Sequence, residues 1–326
     1  MGALSCWLCR MFMVVVLVGL AAPAWAVNPI FSAVLANDPA QVSAAIKADP
    51  QSVKAVDDIT KGTALISACR LHEWAKNRNK IIALLLEKGS DPNARDFMGG
   101  APLHAATASG NIEAVKMLLA KGADASAANK AERTPLQDAS RYGRTQIADL
   151  LMQQGAVVQT KSASGCGPLY EAAEDGNPEM VSKLLGAGAE IDQPCGSYDR
   201  TPLHVACSKG HIEVVKLLVA QGADMNRQDG EGFNSLHHAA FCDQRKVAAF
   251  LLVRGVDIDT PSTKGRGPLH LAAKEDHPIM TELLVSHGAK INAKDAKGNT
   301  PLDLALDQGN NKVVKLLQSK GGKRGQ

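Results

Sequence analysis

The sequence predicts an all-α repeat solenoid of about nine helix-pair units, and three observations carry the prediction. A short phrase recurs from end to end: GTALISA at 62, GAPLHAA at 100, RTPLQDA at 133, CGPLYEA at 166, RTPLHVA at 200, FNSLHHA at 233, RGPLHLA at 266 and NTPLDLA at 299, with a degenerate copy, NPIFSAV, at 28. The proline-equivalent positions 64, 102, 135, 168, 202, 235, 268 and 301 are spaced by 38, 33, 33, 34, 33, 33 and 33 residues, the kind of fixed period that marks a repeat architecture. Alanine stands four residues after each index position (Ala33, Ala68, Ala106, Ala139, Ala172, Ala206, Ala239, Ala272, Ala305), which composition alone does not produce.

Within a unit, Thr-Pro opens the first helix: threonine can cap it, and proline in the first turn forfeits an N–H that has no partner there anyway. The fixed alanine lets neighbouring helices approach closely. The second helix follows from Ile112, Val115, Leu118 and Leu119 at helical spacing, and glycine at 89, 122, 155, 188, 222, 255, 288 and 321 closes it in a left-handed conformation. The stretch to the next proline, such as ADMNRQDGEG at 223–232, is polar and turn-rich, as in a hairpin. The 38-residue interval places five extra residues within RLHEWAKNRNK at 70–80, around Trp74 and four basic residues, an auxiliary contact or a tolerated insertion.

Composition bounds the rest. With 326 residues, 45% hydrophobic and 21% charged, the chain is too apolar for disorder and too long for one ordinary core. A net charge of +3 offers no polycationic face for nucleic acid. Residues 1–26 read as a cleaved secretory signal peptide: Arg10, an apolar run from Met11 to Ala22, then Ala24-Trp25-Ala26. Twelve apolar residues rise only ~18 Å as helix, short of the ~30 Å bilayer core, so no membrane anchor is expected to remain after cleavage. The solenoid is then expected over 27–321 and a disordered basic tail over 322–326. The chain from Val27 keeps five cysteines, an odd number, in an oxidising compartment.

The repeat length, the TPLH phrase at Thr201–His204 and the GAD ending at Gly222–Asp224 resemble the ankyrin repeat family. The resemblance implies stacked helix pairs with β-hairpin fingers on one side, and His104, His204, His237 and His270 bracing neighbouring fingers. It also implies a concave partner-binding surface built from the residues five, four and two before the repeat proline and six and seven after it. Those positions hold Phe97, Met98, Arg133, Arg141, Tyr142, Tyr198, Arg200, Phe233 and Phe241. Tyr, Phe and Arg are residue types that anchor protein interfaces. Tucking of Phe97 and Phe233 between fingers is the alternative. On adjacent fingers Cys166 and Cys195 fall side by side, a possible disulfide.

Chemistry is absent from the motifs: HEWAK lacks the second histidine of a zinc-protease helix, and no GxSxG or GxxxxGK occurs. The expectation is a non-catalytic protein scaffold without cofactor or metal, exported to the periplasm or secreted, and a monomer. Its action would be that of an adaptor or stabiliser, stress-related as in some bacterial relatives. The alternatives are an immunity-type inhibitor of a toxin or hydrolase and, remotely, an enzyme.

Overall fold

A computed structural model describes residues 28–325 apart from Glu73, so the expected export segment lies outside the described residues. Among them, eighteen α-helices form nine consecutive pairs. The pairs are α1 (Pro29–Leu35) and α2 (Pro39–Ala48), α3 (Ala64–Arg70) and α4 (Arg78–Glu87), α5 (Pro102–Ala108) and α6 (Ile112–Ala120), α7 (Pro135–Arg141) and α8 (Thr145–Gln153), and α9 (Pro168–Asp175) and α10 (Pro178–Gly186). They continue with α11 (Pro202–Lys209) and α12 (Ile212–Ala220), α13 (Ser235–Phe241) and α14 (Arg245–Val253), α15 (Pro268–Lys274) and α16 (Pro278–Ser286), and α17 (Pro301–Gln308) and α18 (Asn311–Ser319). Like packs on like along the stack, and successive first helices lie closer together than successive second helices. The stack therefore curves towards the first helices and the loops that precede them.

Each repeated residue has a physical task. The hydroxyls of Thr63, Thr134, Thr201 and Thr300 accept the N–H groups of Ile66, Gln137, His204 and Asp303, three residues into the helix, at 3.3 to 3.4 Å. Such caps are worth about 1 kcal/mol each. The nine index alanines are 0 to 3% exposed, wedged where a larger side chain would force the helices apart. The leucines four before each index glycine are fully buried in one continuous core. The eight index glycines have φ between 81° and 95°, and a Cβ there would meet nothing within 4 Å. Backbone conformation, not lack of room, is what requires glycine.

The fingers differ from the expected β-hairpins. Among the described residues only Val56 with Thr63 and Cys195 with Arg200 form bridges, both isolated. The reason is a side chain six residues before the index position. Asp96 Oδ1 accepts the N–H groups of Met98 and Gly100 (2.9 and 2.7 Å), Asp229 Oδ1 those of Glu231 and Phe233 (2.9 and 3.0 Å), and Asp295 Oδ1 those of Lys297 and Asn299 (both 2.9 Å). The carboxylate thus folds the tip into a tight turn and takes donors that a strand would have used. Successive fingers are joined by one main-chain bond each, from Phe97 N to Thr60 O at one end to Ala296 N to Lys264 O at the other.

Residues 322–325 also depart from the expected frayed tail. Lys323 N donates to Asn292 Oδ1 (2.7 Å), Gly325 N donates to Asp303 Oδ2 (2.7 Å), and Arg324 pairs with Asp303 Oδ1 (3.1 Å). Asn292 belongs to a series of loop side chains, with Asn93 and Asn226, that each bind the corresponding loop of the next repeat. The tail stands where a tenth unit would begin and uses the same contact.

Candidate functional site

The aromatic side chains divide by position. Trp74, Phe97, Tyr142, Tyr198 and Phe241 are 46 to 73% exposed, and all lie on fingers, at the ends of first helices or in the inserted turn. Met98 and Arg141 are exposed beside them. Phe233 is not part of this set: it is half-buried, with its ring stacked on His237 (5.1 Å between centroids, 3° between planes) and edge-on to His238 at 5.8 Å. It is finger packing, because its position two before the index residue points it along the stack. Phe97 remains exposed.

The arginines at that same position are struts between repeats. Arg133, whose side chain is only 16% exposed, bonds Asp138 of its own helix at 3.1 Å and Glu171 of the next repeat at 2.5 Å. Arg200 reaches Glu231 at 3.1 Å and lies 3.4 Å from Asp229, both on the next finger, and its guanidinium sits 5.3 Å from the Tyr198 ring centre. Arg266 spans to Asp295 at 3.2 Å. Arg133 is therefore withdrawn from partner contact, Arg200 props Tyr198, and Arg141, 3.8 Å from Glu171, keeps its charge at the surface.

The four repeat histidines brace the fingers as expected. In each, Nδ1 accepts the N–H of the residue before the helix: Ala101, Thr201, Asn234 and Gly267, at 3.1 to 3.2 Å. Nε2 donates to a carbonyl of the next loop: Arg133, Arg227, Arg266 and Asn299, at 2.9 to 3.2 Å. This pattern needs the neutral ring. Burial holds His204 and His237 down to about 4 and lowers His104 and His270 as well. Gln137 makes both bonds without titrating, accepting from Thr134 N and donating to Cys166 O, each at 2.8 Å.

An acid window follows. The unfolded imidazoles bind protons near 6.5 that the folded ones refuse until about 4, so their stabilisation is complete above 6.5 and is lost as pH falls towards 4. For His204 and His237 the loss is on the order of 1 to 2 kcal/mol each by pH 5. His204→Gln is expected to keep both bonds and narrow the gap between urea midpoints at pH 7 and pH 5; an unchanged gap contradicts the assignment. Asp229 acts lower: burial pushes it up, but the bonds from His238 and the Phe233 N–H prevail and hold it at about 2, so its contribution fades only below 3.8.

Packing also assembles a group that the motifs do not show. Ser208 Oγ lies 3.1 Å from His238 Nδ1, and His238 Nε2 lies 2.9 Å from Asp229 Oδ2. The order resembles a hydrolase relay, but Ser208 sits in the last turn of α11, where free carbonyls collect and donors for an oxyanion do not. Its Oγ is also 3.1 Å from His204 O. The network ties α11, α13 and a finger together. Its sequence signal is the single histidine three after an index position, where the other repeats carry Ser, Ala, Asp, Glu, Val or Leu.

Cys166 and Cys195 form a disulfide between two successive fingers, Cα to Cα 4.3 Å. Cys69 and Cys207 are buried thiols, Cys69 pushed up to about 12 by burial, and Cys242 is exposed beside Phe241. Among the described residues no cluster of His, Cys, Asp or Glu could hold a metal ion, and no helix is long and apolar enough to cross a membrane.

A family model of three ankyrin repeats matches residues 71–162, 169–262 and 236–324. The chain belongs to the ankyrin repeat family, whose repeats generally mediate protein–protein interaction and are typically non-catalytic. Among solved structures, the human ASB11 ankyrin repeat domain is 27% identical with a TM-score of 0.63, the match covering 69% of this chain and 99% of that one. No curated protein matches the chain.

Proposed function

We propose that this protein holds another protein against its concave side in the periplasm, as an adaptor or stabiliser. The observation that carries the reading is the partition of aromatics: Phe97, Tyr142, Tyr198 and Phe241, exposed, lie on fingers or at the ends of first helices, Trp74 sits in the inserted turn, and Phe31, Tyr170 and Phe250 pack inward. Exposed rings collected on one curved face favour a partner that buries them. A monomer that presents this face freely fits the reading, and the second helices turn charged residues such as Glu113 with Lys116 and Glu213 with Lys216 to solvent.

Affinity capture from periplasm, followed by mass spectrometry, tests the reading. A single stoichiometric partner is expected, and its loss on changing Tyr142 and Tyr198 together is required. Export is checked separately. The native protein is expected to begin at Val27 and to fractionate with the periplasm; a soluble cytoplasmic protein retaining residues 1–26 contradicts the compartment.

A further inference from the structure

Every finger opens in the same way: the N–H of one residue bonds the carbonyl two before the index position, from Asp57 N to Gly62 O (2.9 Å) to Asp295 N to Asn299 O (2.8 Å). For Asp57, Asp96, Asn129, Asp229, Ser262 and Asp295, the side chain of that opening residue also accepts N–H groups of its own finger, at 2.7 to 3.1 Å. The two exceptions are neighbours. Ser162 turns its hydroxyl to Ser164 Oγ at 2.8 Å, and in the next finger the opening residue is Cys195, whose N–H bonds Arg200 O at 2.9 Å. These are the two fingers that the Cys166–Cys195 disulfide joins. The disulfide stands where the other fingers have a side-chain clamp.

The finger that Cys195 opens carries Tyr198, half exposed, and Arg200, whose guanidinium props the ring. Its tip resists ordering. Asp199 has a φ of 51°, a left-handed conformation that Gly99, Gly165, Gly232, Gly265 and Gly298 take at the equivalent place, and a residue with a Cβ adopts it at a cost. Lys61 and Glu132 share the conformation, but in fingers that keep their clamp. Without the disulfide the finger is tied to its neighbours by Gly196 N to Ser164 O at 3.0 Å, Gly230 N to Tyr198 O at 2.6 Å and the exposed pair of Arg200 with Glu231.

We propose that oxidation of Cys166 and Cys195 switches on partner binding by fixing the Tyr198 finger in the shape that the partner meets. The inference rests on the reading that the concave side holds a protein, and it adds the control of that side. The step is a thiol–disulfide exchange: the two cysteines lose two protons and two electrons as their S–S bond forms. A disulfide oxidant takes them up as its own S–S bond breaks into two thiols. In the reduced chain the unclamped fingers open the thiols to that oxidant. Once formed, the bond is buried away from thiols that would reverse it. The helix stack keeps its own core, so the reduced chain stays folded and the change falls on binding.

The test uses the chain from Val27 with 3-fluorotyrosine at its three tyrosines, Tyr142, Tyr170 and Tyr198. It is compared oxidised, refolded in dithiothreitol, and as Cys166→Ser with Cys195→Ser. The fluorine resonance of Tyr198, assigned by Tyr198→Phe, is expected to shift and broaden in the last two forms, while that of Tyr142 stays as it was. The binding probe is the purified protein that the oxidised chain retains in the capture experiment. Its affinity is expected to fall at least about tenfold in both forms, as for a finger in the binding shape about a tenth of the time. In the double-serine chain Tyr198→Ala should then weaken binding little further. Cys166→Ser with Cys195→Asp, which gives this finger the clamp that Asp57 provides in a finger of the same length, is expected to recover affinity without a disulfide. An unchanged Tyr198 resonance, equal affinity with and without the disulfide, or no recovery with Cys195→Asp overturns the proposal. Equal affinity alongside a loss on Tyr142→Ala overturns it and leaves the concave-face reading standing; a probe indifferent to both tyrosines overturns the two together.

Discussion

Reducing the Cys166–Cys195 disulfide is expected to lower stability by about 3 to 4 kcal/mol, the chain-entropy value for a loop of this length. The bond joins positions 29 residues apart in sequence on adjacent fingers, both buried. Those fingers stay linked by Gly196 N donating to Ser164 O at 3.0 Å, so reduction loosens them without separating them. In a stack where each repeat touches only its neighbours, the loss should be local. Hydrogen exchange on reduction is expected to rise over residues 162–200 and to leave the terminal repeats unchanged. Cys166→Ser with Cys195→Ser should reproduce the effect without reductant. Thiol counting on the unfolded, unreduced chain from Val27 should find three groups, Cys69, Cys207 and Cys242; five would reject the bond.

Glu171→Ala is expected to cost about 3 kcal/mol, since removing one partner of a buried ion pair leaves the other charge desolvated and uncompensated. The Glu171 side chain is 6% exposed and that of Arg133 16%, with 2.5 Å between them. Asp138 still faces Arg133 at 3.1 Å and keeps the loss from being larger. A cycle of Glu171→Ala, Arg133→Ala and the double variant, followed by urea unfolding, isolates the pair. The singles should be non-additive by 1 kcal/mol or more, on the order expected for residues in contact. Additive singles would show that Arg133 does not join these repeats.

The helical stack was legible in the sequence because each repeated residue meets a constraint of its own. Leu218 must be buried, Ala206 must be small and Gly222 must turn left-handed, and each recurs at the repeat period. The fingers were less legible. Asp96, Asp229 and Asp295 recur six before the index position, yet polar loop composition does not distinguish a hairpin from a turn closed by a carboxylate. Exposure followed from residue type and position for Phe97, Met98, Arg141, Tyr142, Tyr198 and Phe241. For Arg133 and Phe233 it did not, because the groups that claim them belong to packing. Glu171 lies 38 residues beyond Arg133, in the next repeat, and the His237 face that takes Phe233 exists only once α13 has formed. The tail was misjudged for the same reason, as its partners Asn292 and Asp303 are brought to it by the last unit.

Calorimetry of the captured partner against Tyr142→Ala and Tyr198→Ala, with thermal melting of each variant alongside, decides whether the exposed rings on the concave side bind a protein. Both rings are about half exposed, and Tyr198 leans on Arg200, so truncation should leave melting nearly unchanged. Each change is expected to weaken binding by about 2 kcal/mol or more, while Glu113→Ala and Lys216→Ala on the second helices leave affinity as it was. Normal partner affinity with early melting in the tyrosine variants would show that these rings hold repeats together, and would contradict the account.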